Sequence, residues 1–141
     1  MYLIDTNVIS EARKGSKANI GVRNFFAKVN PSDLYIAVQT IGELRRGVQS
    51  IRHRGDVNQA KQLEAWLDMV VSQYADRVLS FNIDCAQVWG ALMSPHPHHA
   101  IDKQIAAIAL IYDMKVVTRN IDDFLQTGVQ LQNPFLENVI N

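Results

Sequence analysis

Short apolar runs alternate with longer stretches in which apolar residues recur every three or four positions, and this alternation runs through the whole 141-residue chain. Tyr2-Leu3-Ile4 reads as a buried strand and Leu34-Tyr35-Ile36-Ala37-Val38 as a second. Between them Ile20, Val22, Phe25, Phe26 and Val29 share a helical face that Asn30-Pro31-Ser32 ends. Ile41, Leu44, Val48 and Ile51 mark a helix closing near Gly55, and Leu63, Trp66, Leu67, Val70, Val71 and Tyr74 mark another. Residues 77–81 form the third expected strand, and residues 88–93 lie on a helix that Ser94-Pro95 terminates. Ile105, Ile108, Ala109 and Tyr112 belong to a buried helix, Lys115-Val116-Val117-Thr118 is the fourth strand, residues 121–125 form a short helix, and residues 129–131 form an edge strand.

Strands separated by helices need crossover connections, so this pattern predicts an α/β fold with a parallel sheet covered on both faces. No linker, low-complexity tract or repeat divides it, and residues 1–141 read as a single domain. A chain of this length buries roughly two-thirds of its unfolded surface, and 48% hydrophobic residues supply a core without a disulfide or structural metal. Cys85 is the sole cysteine, which excludes an intramolecular disulfide and a cysteine-based zinc knuckle. No run reaches the ~18 apolar residues of a membrane span, and Asp5 interrupts the apolar N-terminus before a signal-peptide core forms. The expected location is cytoplasmic, with no membrane partner.

A formal net charge of zero conceals an uneven distribution: residues 1–61 carry +5 and residues 62–141 carry −5. A basic half offers a face for a polyanion, although an ordinary solvated surface explains the same count.

Ligands of parallel sheets bind beyond the carboxyl ends of the strands, and four acids fall there. Asp5 follows the first strand in Leu3-Ile4-Asp5-Thr6-Asn7, and Glu43 lies early on the helix after the second, in Thr40-Ile41-Gly42-Glu43-Leu44. Asp102 opens the most apolar helix, in Ile101-Asp102-Lys103-Gln104-Ile105-Ala106-Ala107, and Asp123 follows the fourth strand, in Thr118-Arg119-Asn120-Ile121-Asp122-Asp123-Phe124. Each has a structural explanation taken singly. Asp5 and Asp123 suit helix caps, Asp102 suits a positive helix end, and Glu43 can turn to solvent. Together they repel: two unit charges 4 Å apart cost ~1 kcal/mol in water and ~4 kcal/mol at an effective dielectric of 20. A hard divalent cation removes that repulsion, and oxygen donors favour Mg²⁺, or Mn²⁺ in its place, over zinc. Such an ion activates a water and offsets charge in phosphoryl transfer, which points to hydrolysis of a phosphodiester.

These motifs, in this order and covering nearly the whole chain, resemble the PIN-domain ribonucleases and specifically the VapC-like toxins of bacterial toxin–antitoxin pairs. The matching segments are residues 3–10, Gly42-Glu43-Leu44-Arg45-Arg46-Gly47, residues 102–107 and Val117-Thr118-Arg119-Asn120. The resemblance implies a three-layer α/β/α sandwich around a parallel sheet of order 3-2-1-4-5. It also implies Mg²⁺-dependent cleavage of RNA, a homodimer, and inhibition by a cognate antitoxin, with operator DNA engaged only through that antitoxin. It assigns catalytic roles to Asp5, Glu43, Asp102 and Asp123, with Asp5 and Asp102 holding the metal. Many relatives place the fourth acid directly after Thr-Arg, where this chain has the uncharged Asn120, so Asp123 takes that position and Asp122 is expected to point elsewhere.

His96-Pro97-His98-His99 invites a zinc reading, but Pro97 and the lack of cysteine partners argue against a closed tetrahedral site. An exposed loop beside the active site is the expectation, touching RNA phosphates or an antitoxin. Many relatives carry an arginine in the preceding helix that Ala91 and Met93 do not supply. Arg45, Arg46, Arg52 and Arg54 are either a solvated helix face, expected of at least two, or phosphate contacts along RNA. Trp66 and Trp89 sit on apolar helical faces and read as core or dimer interface rather than base-stacking platforms. A catalytically weak nucleic-acid-binding partner, repressing its own operon with an antitoxin, is the rival reading. A phosphatase is disfavoured because Asp5-Thr6-Asn7 lacks a second aspartate two residues on, and a receiver domain because Arg119 stands where a lysine is required.

Overall fold

The first strand of the chain is the middle strand of the sheet. In the computed structural model, which describes residues 1–137, β1 (Tyr2–Ile4) pairs in parallel with β2 (Leu34–Ala37) on one side and β4 (Lys115–Val117) on the other. β3 (Val78–Leu79) extends the sheet beyond β2 and β5 (Leu131–Gln132) beyond β4, giving the order β3-β2-β1-β4-β5. This is the all-parallel arrangement that the sequence and the resemblance both imply. Residues 138–141 of the expected single domain lie outside the described residues.

Seven α-helices join the strands among the described residues: α1 (Thr6–Ala12), α2 (Ile20–Lys28), α3 (Val38–His53), α4 (Val57–Gln73), α5 (Ile83–Leu92), α6 (Ala100–Tyr112) and α7 (Ile121–Phe124). The two-residue period of a strand sends successive side chains to opposite faces, and the two cores follow from it. Ile4, Ile36 and Val117 meet Val8 and Ile9 of α1, Val22 and Phe25 of α2, Leu44 and Val48 of α3, and Leu67 and Val70 of α4. Leu3, Ala37 and Val116, one residue earlier or later on the same strands, meet Cys85 of α5, Ile105, Ala106, Ile108 and Ala109 of α6, and Phe124 of α7. A layer of helices therefore covers each face of the sheet.

Several elements differ from the sequence reading. Val38 starts α3 instead of ending β2, and it is partly exposed. The third strand shrinks from residues 77–81 to two residues, because Arg77 turns its guanidinium to the carbonyls of Leu34, Pro31 and Gln73 and so closes the chain beside β2. The last strand shifts from residues 129–131 to Leu131–Gln132, since Gly128 makes a turn at φ +83° and ladder pairing starts after it. α1 is too short to show a helical period, although its Val8 and Ile9 are buried.

Candidate active site

Asp5 stands where β1 ends and α1 begins. Its N–H donates to the carbonyl of Val117 over 2.9 Å, prolonging the β1–β4 ladder by one residue. Only 3% of Asp5 is exposed, and three donors surround its carboxylate. The N–H of Thr6 donates to Oδ1 over 2.8 Å, while the Thr118 hydroxyl and the Asn7 amide donate to Oδ2 over 2.8 and 3.2 Å. The helix-capping role foreseen for Asp5 is thus real but takes one of its two oxygens. Burial pushes its pKa up; the bonds from Thr118 and Thr6 pull against that, and the charge of Glu43 adds to the rise.

The other acids arrive from separate elements. Glu43, in the second turn of α3, does not escape to solvent: the Thr6 hydroxyl donates to its Oε1 over 2.6 Å and lies 3.3 Å from the Thr40 hydroxyl. Asp102 sits in the first turn of α6, where unpaired helix N–H groups favour a negative charge. Its pKa is nonetheless raised to about 6, first by burial and then by the charges of Asp5, Asp123 and Glu43, with His99 opposing. Carboxylates separated widely in sequence thus lie near enough for their charges to act on Asp102. Asp123 lies on α7 and is partly buried, whereas Asp122 beside it is exposed. Asn120 stands at the N-cap of α7, but its side chain makes no capping bond, and its N–H donates to the Thr118 hydroxyl over 3.0 Å.

Five further residues join the site, four with no role there in the sequence reading and one from the histidine loop expected beside it. Thr118 is fully buried and holds Asp5, and Asn7 bridges Asp5, Thr118 and the N–H of Arg119. Thr6 and Thr40 flank Glu43. Position immediately after a strand was the available signal for Thr6, Asn7 and Thr118. The fifth is His99. Its Nε2 lies 3.7 Å from Asp123 Oδ1 and its Nδ1 lies 4.0 Å from Asp102 Oδ2. The three-residue spacing between His99 and Asp102, which puts both on one face at a helix start, was the signal. With His96, His98 and Lys103 it lines an open cleft of about 410 Å³.

The arginines divide. Arg45 and Arg52 reach Glu64 of α4 and serve to join the two helices, as the solvated-face reading expected of two of them. Arg46 and Arg54 stay exposed beside Gln49, Ser50 and His53. Trp66 packs on the core with the Arg13 guanidinium 5.9 Å from its ring centroid. Trp89 donates its indole N–H to the carbonyl of Ala100 over 3.1 Å, fixing the start of α6.

The site is thus an acidic cluster, partly withdrawn from water, in which hydroxyl and amide donors hold Asp5 and Glu43. Comparison with known proteins is consistent with it. Residues 2–129 match the family model described as PIN domain. Plasmid stability protein StbB of Pseudomonas syringae pv. tomato is 32% identical over 96% of this chain and 99% of its own. Toxin FitB of Neisseria gonorrhoeae and VapC ribonuclease Y4jK of Sinorhizobium fredii are each 30% identical over 96% of this chain, and over 99% and 98% of their own lengths. Among solved structures, FitAcB from Neisseria gonorrhoeae aligns with TM-score 0.85 at 29% identity, covering 97% of this chain and 100% of that one, and FitAB bound to a DNA fragment aligns with TM-score 0.83.

Proposed function

The chain belongs to the PIN-domain family, and from that premise we propose that it is the ribonuclease toxin of a toxin–antitoxin pair, hydrolysing RNA phosphodiesters at a carboxylate-held Mg²⁺ site. The observation that carries this reading is that Asp5, Asp123 and Glu43 all act on Asp102, whose carboxyl burial first and these three charges second push up to about 6. Net repulsion of this kind has no structural benefit and is relieved by a dication.

The donor set fits such an ion. An ionised carboxylate has about four lone-pair sites, and three donors occupy Asp5, one on Oδ1 and two on Oδ2. One site on Oδ1 remains, in an orientation fixed by Thr6 and Thr118. Asp102 and Asp5 are the pair that would hold the cation. When bound, Mg²⁺, or Mn²⁺ as a substitute, lowers the pKa of a water and neutralises charge developing on the phosphoryl oxygens.

The chain's own residues supply the rest. Thr6 fixes Glu43 through Oε1, leaving Oε2 to accept a proton from the attacking water. Asn7 and Thr118 keep the Asp5 carboxylate from rotating. Arg46 and Arg54, exposed on the basic half of the chain, contact RNA phosphates without reading sequence. The protein is a cytoplasmic homodimer held inactive by its antitoxin; no helix among the described residues is long and apolar enough to cross a membrane.

The test is RNA cleavage by the protein freed of its partner. Mg²⁺ or Mn²⁺ should support it, a chelator should stop it, and Asp5→Asn should abolish it while circular dichroism stays unchanged. Undiminished cleavage by that variant would overturn the assignment. The FitAB complex bound to DNA supports a second reading, a catalytically weak subunit that represses its own operon together with an antitoxin. That reading predicts operator binding by the pair and no metal-stimulated cleavage by the free chain.

A further inference from the structure

His99 is one of three histidines in the loop before α6, and it alone turns to the carboxylates. His96 and His98 line the same cleft, but among the described residues the imidazole within 4.0 Å of Asp102 and of Asp123 is that of His99. One ring nitrogen of His99 and one oxygen from each aspartate all lie within 4.8 Å of one another. Around an ion with bonds of about 2.1 Å, adjacent octahedral ligands stand about 3.0 Å apart and opposite ones about 4.2 Å apart. The separations of 3.7 Å, from Nε2 to Asp123, and 4.0 Å, from Nδ1 to Asp102, belong to opposite ring nitrogens, and the set with a single nitrogen spans up to 4.8 Å. Side-chain rotations that draw the two carboxylates toward one nitrogen therefore bring all three atoms onto one ion.

The loop is built to keep the imidazole there. The carbonyl of His99 accepts from the N–H of Lys103 over 2.9 Å, which starts α6 directly behind the ring. The buried Lys103 ammonium donates to the carbonyl of His96, and Trp89 holds the carbonyl of Ala100. His99 itself takes the left-handed backbone at φ 57°, a region histidine tolerates better than most residues.

We propose that His99 is a nitrogen ligand to the cation of this site, giving its Asp102–Asp123 side a preference for a transition dication such as Mn²⁺ over Mg²⁺. The inference rests on the metal-site reading above and adds to it. Magnesium dehydrates reluctantly and keeps to oxygen donors, whereas Mn²⁺ shares its liking for carboxylates but, as a softer first-row transition ion, also accepts an imidazole nitrogen. A site of carboxylates alone discriminates weakly between the two; adding one nitrogen shifts the balance toward manganese.

The test is spectroscopic and independent of turnover. Metal-free full-length protein is titrated with MnCl₂ or MgCl₂ by calorimetry, and the Mn²⁺-loaded protein is examined by electron spin-echo envelope modulation for coupling to ¹⁴N. The wild-type chain should show directly bound nitrogen. His99→Asn, which keeps a residue tolerant of the left-handed backbone, should lose that coupling and bind Mn²⁺ at least tenfold more weakly, with Mg²⁺ affinity changed less than threefold. His98→Gln should behave as wild type. Mn²⁺ binding without nitrogen coupling in the wild type, unchanged Mn²⁺ affinity in His99→Asn, or loss of the coupling in His98→Gln would each overturn the role of His99 and leave the carboxylate site standing. Binding of neither ion by the wild-type chain would remove the carboxylate site as well.

Discussion

Thr118 donates its hydroxyl to Asp5 Oδ2 over 2.8 Å, joining the ends of two neighbouring strands across 113 residues of sequence. Both groups are buried, so the bond is shielded from bulk solvent. Replacing Thr118 with valine keeps the shape and removes the donor, leaving Asp5 with Thr6 and Asn7. The expected loss is about 1.5–3 kcal/mol at pH 7.5, the range for a hydrogen bond to a charged group. Because the variant raises the Asp5 pKa further, the deficit should shrink as pH falls and Asp5 takes a proton. Urea unfolding at pH 7.5 and pH 4 measures both; an equal deficit at the two pH values would show that the bond does not serve the ionised form.

Asp102 allows a second test. Its folded pKa of about 6 stands above the ordinary value of 3.8, so the folded chain holds the proton more tightly than the unfolded one. The contribution is fully present below pH 3.8 and is lost as pH rises through 6. In metal-free protein Asp102→Asn should therefore raise the melting temperature at pH 7.5, by a stabilisation of about 1–3 kcal/mol, and give no gain at pH 3.5. Mn²⁺ should reverse the order of the two proteins at pH 7.5. The simple repulsion argument expects Asp5→Asn to act alike, but three hydrogen bonds end on that carboxylate and an amide replaces one acceptor oxygen with a donor. Asp5→Asn should gain less than Asp102→Asn, and thermal melts of the two variants side by side decide it.

The parts of this molecule that were legible in advance are those set by burial. β1 and β4 are runs of apolar residues that end abruptly at Asp5 and Thr118, so both the strands and the place where polar chemistry begins could be read from them. Asp5 stood out because a charge directly after a buried strand is costly unless it has a partner, and Glu43, Asp102 and Asp123 because each lies on a helix expected to start at the same edge of the sheet. Thr118 and Asn7 carried only the weaker signal of their place at a strand end, where a threonine or asparagine also suits a turn. His99 was hidden in a loop that looked solvated. Its turn toward Asp102 depends on a left-handed backbone and on Lys103 reaching back to His96, neither of which composition or period reveals. β3 was overread because Arg77 was counted as a strand residue, whereas its side chain holds three backbone carbonyls.

The four arginines of α3 should separate in nucleic-acid binding. Arg45 and Arg52 are engaged with Glu64, and Arg46 and Arg54 are not among the ion pairs of the described residues. A single-stranded phosphate contact contributes about 0.7 to the slope of log affinity against log salt. The double variant Arg46→Ala/Arg54→Ala should lower that slope by about 1.4 and weaken RNA binding at low salt, equally for unrelated sequences. Glu64→Gln should leave the slope unchanged. Fluorescence anisotropy with a labelled oligonucleotide in the presence of a chelator, across a salt series, reads the effect without cleavage; an unchanged slope in the double variant would place the RNA elsewhere.

Gly21 provides a prediction about the scaffold that is independent of the site. It lies in the first turn of α2, where the turn at Pro134–Leu136 packs directly on the helix backbone. A Cβ added at Gly21 would come within 2.0 Å of the Pro134 carbonyl oxygen, a backbone atom that moves only if the whole turn moves. In an exposed helix the change from glycine to alanine is stabilising by up to about 1 kcal/mol; here the clash reverses the sign. Gly21→Ala should destabilise the protein by about 1–3 kcal/mol, the range for overpacking a tight contact. The displaced turn carries Phe135, which packs on the core that holds Ile4 and Val117, so the loss should also lower the unfolding midpoint without changing its slope. Gly42→Ala on α3, where an added Cβ meets nothing within 4 Å, is the control and should be neutral or stabilising. Urea denaturation of the two variants, followed by tryptophan fluorescence, gives the comparison. A Gly21→Ala protein as stable as wild type would show that the C-terminal turn does not pack on α2 in solution.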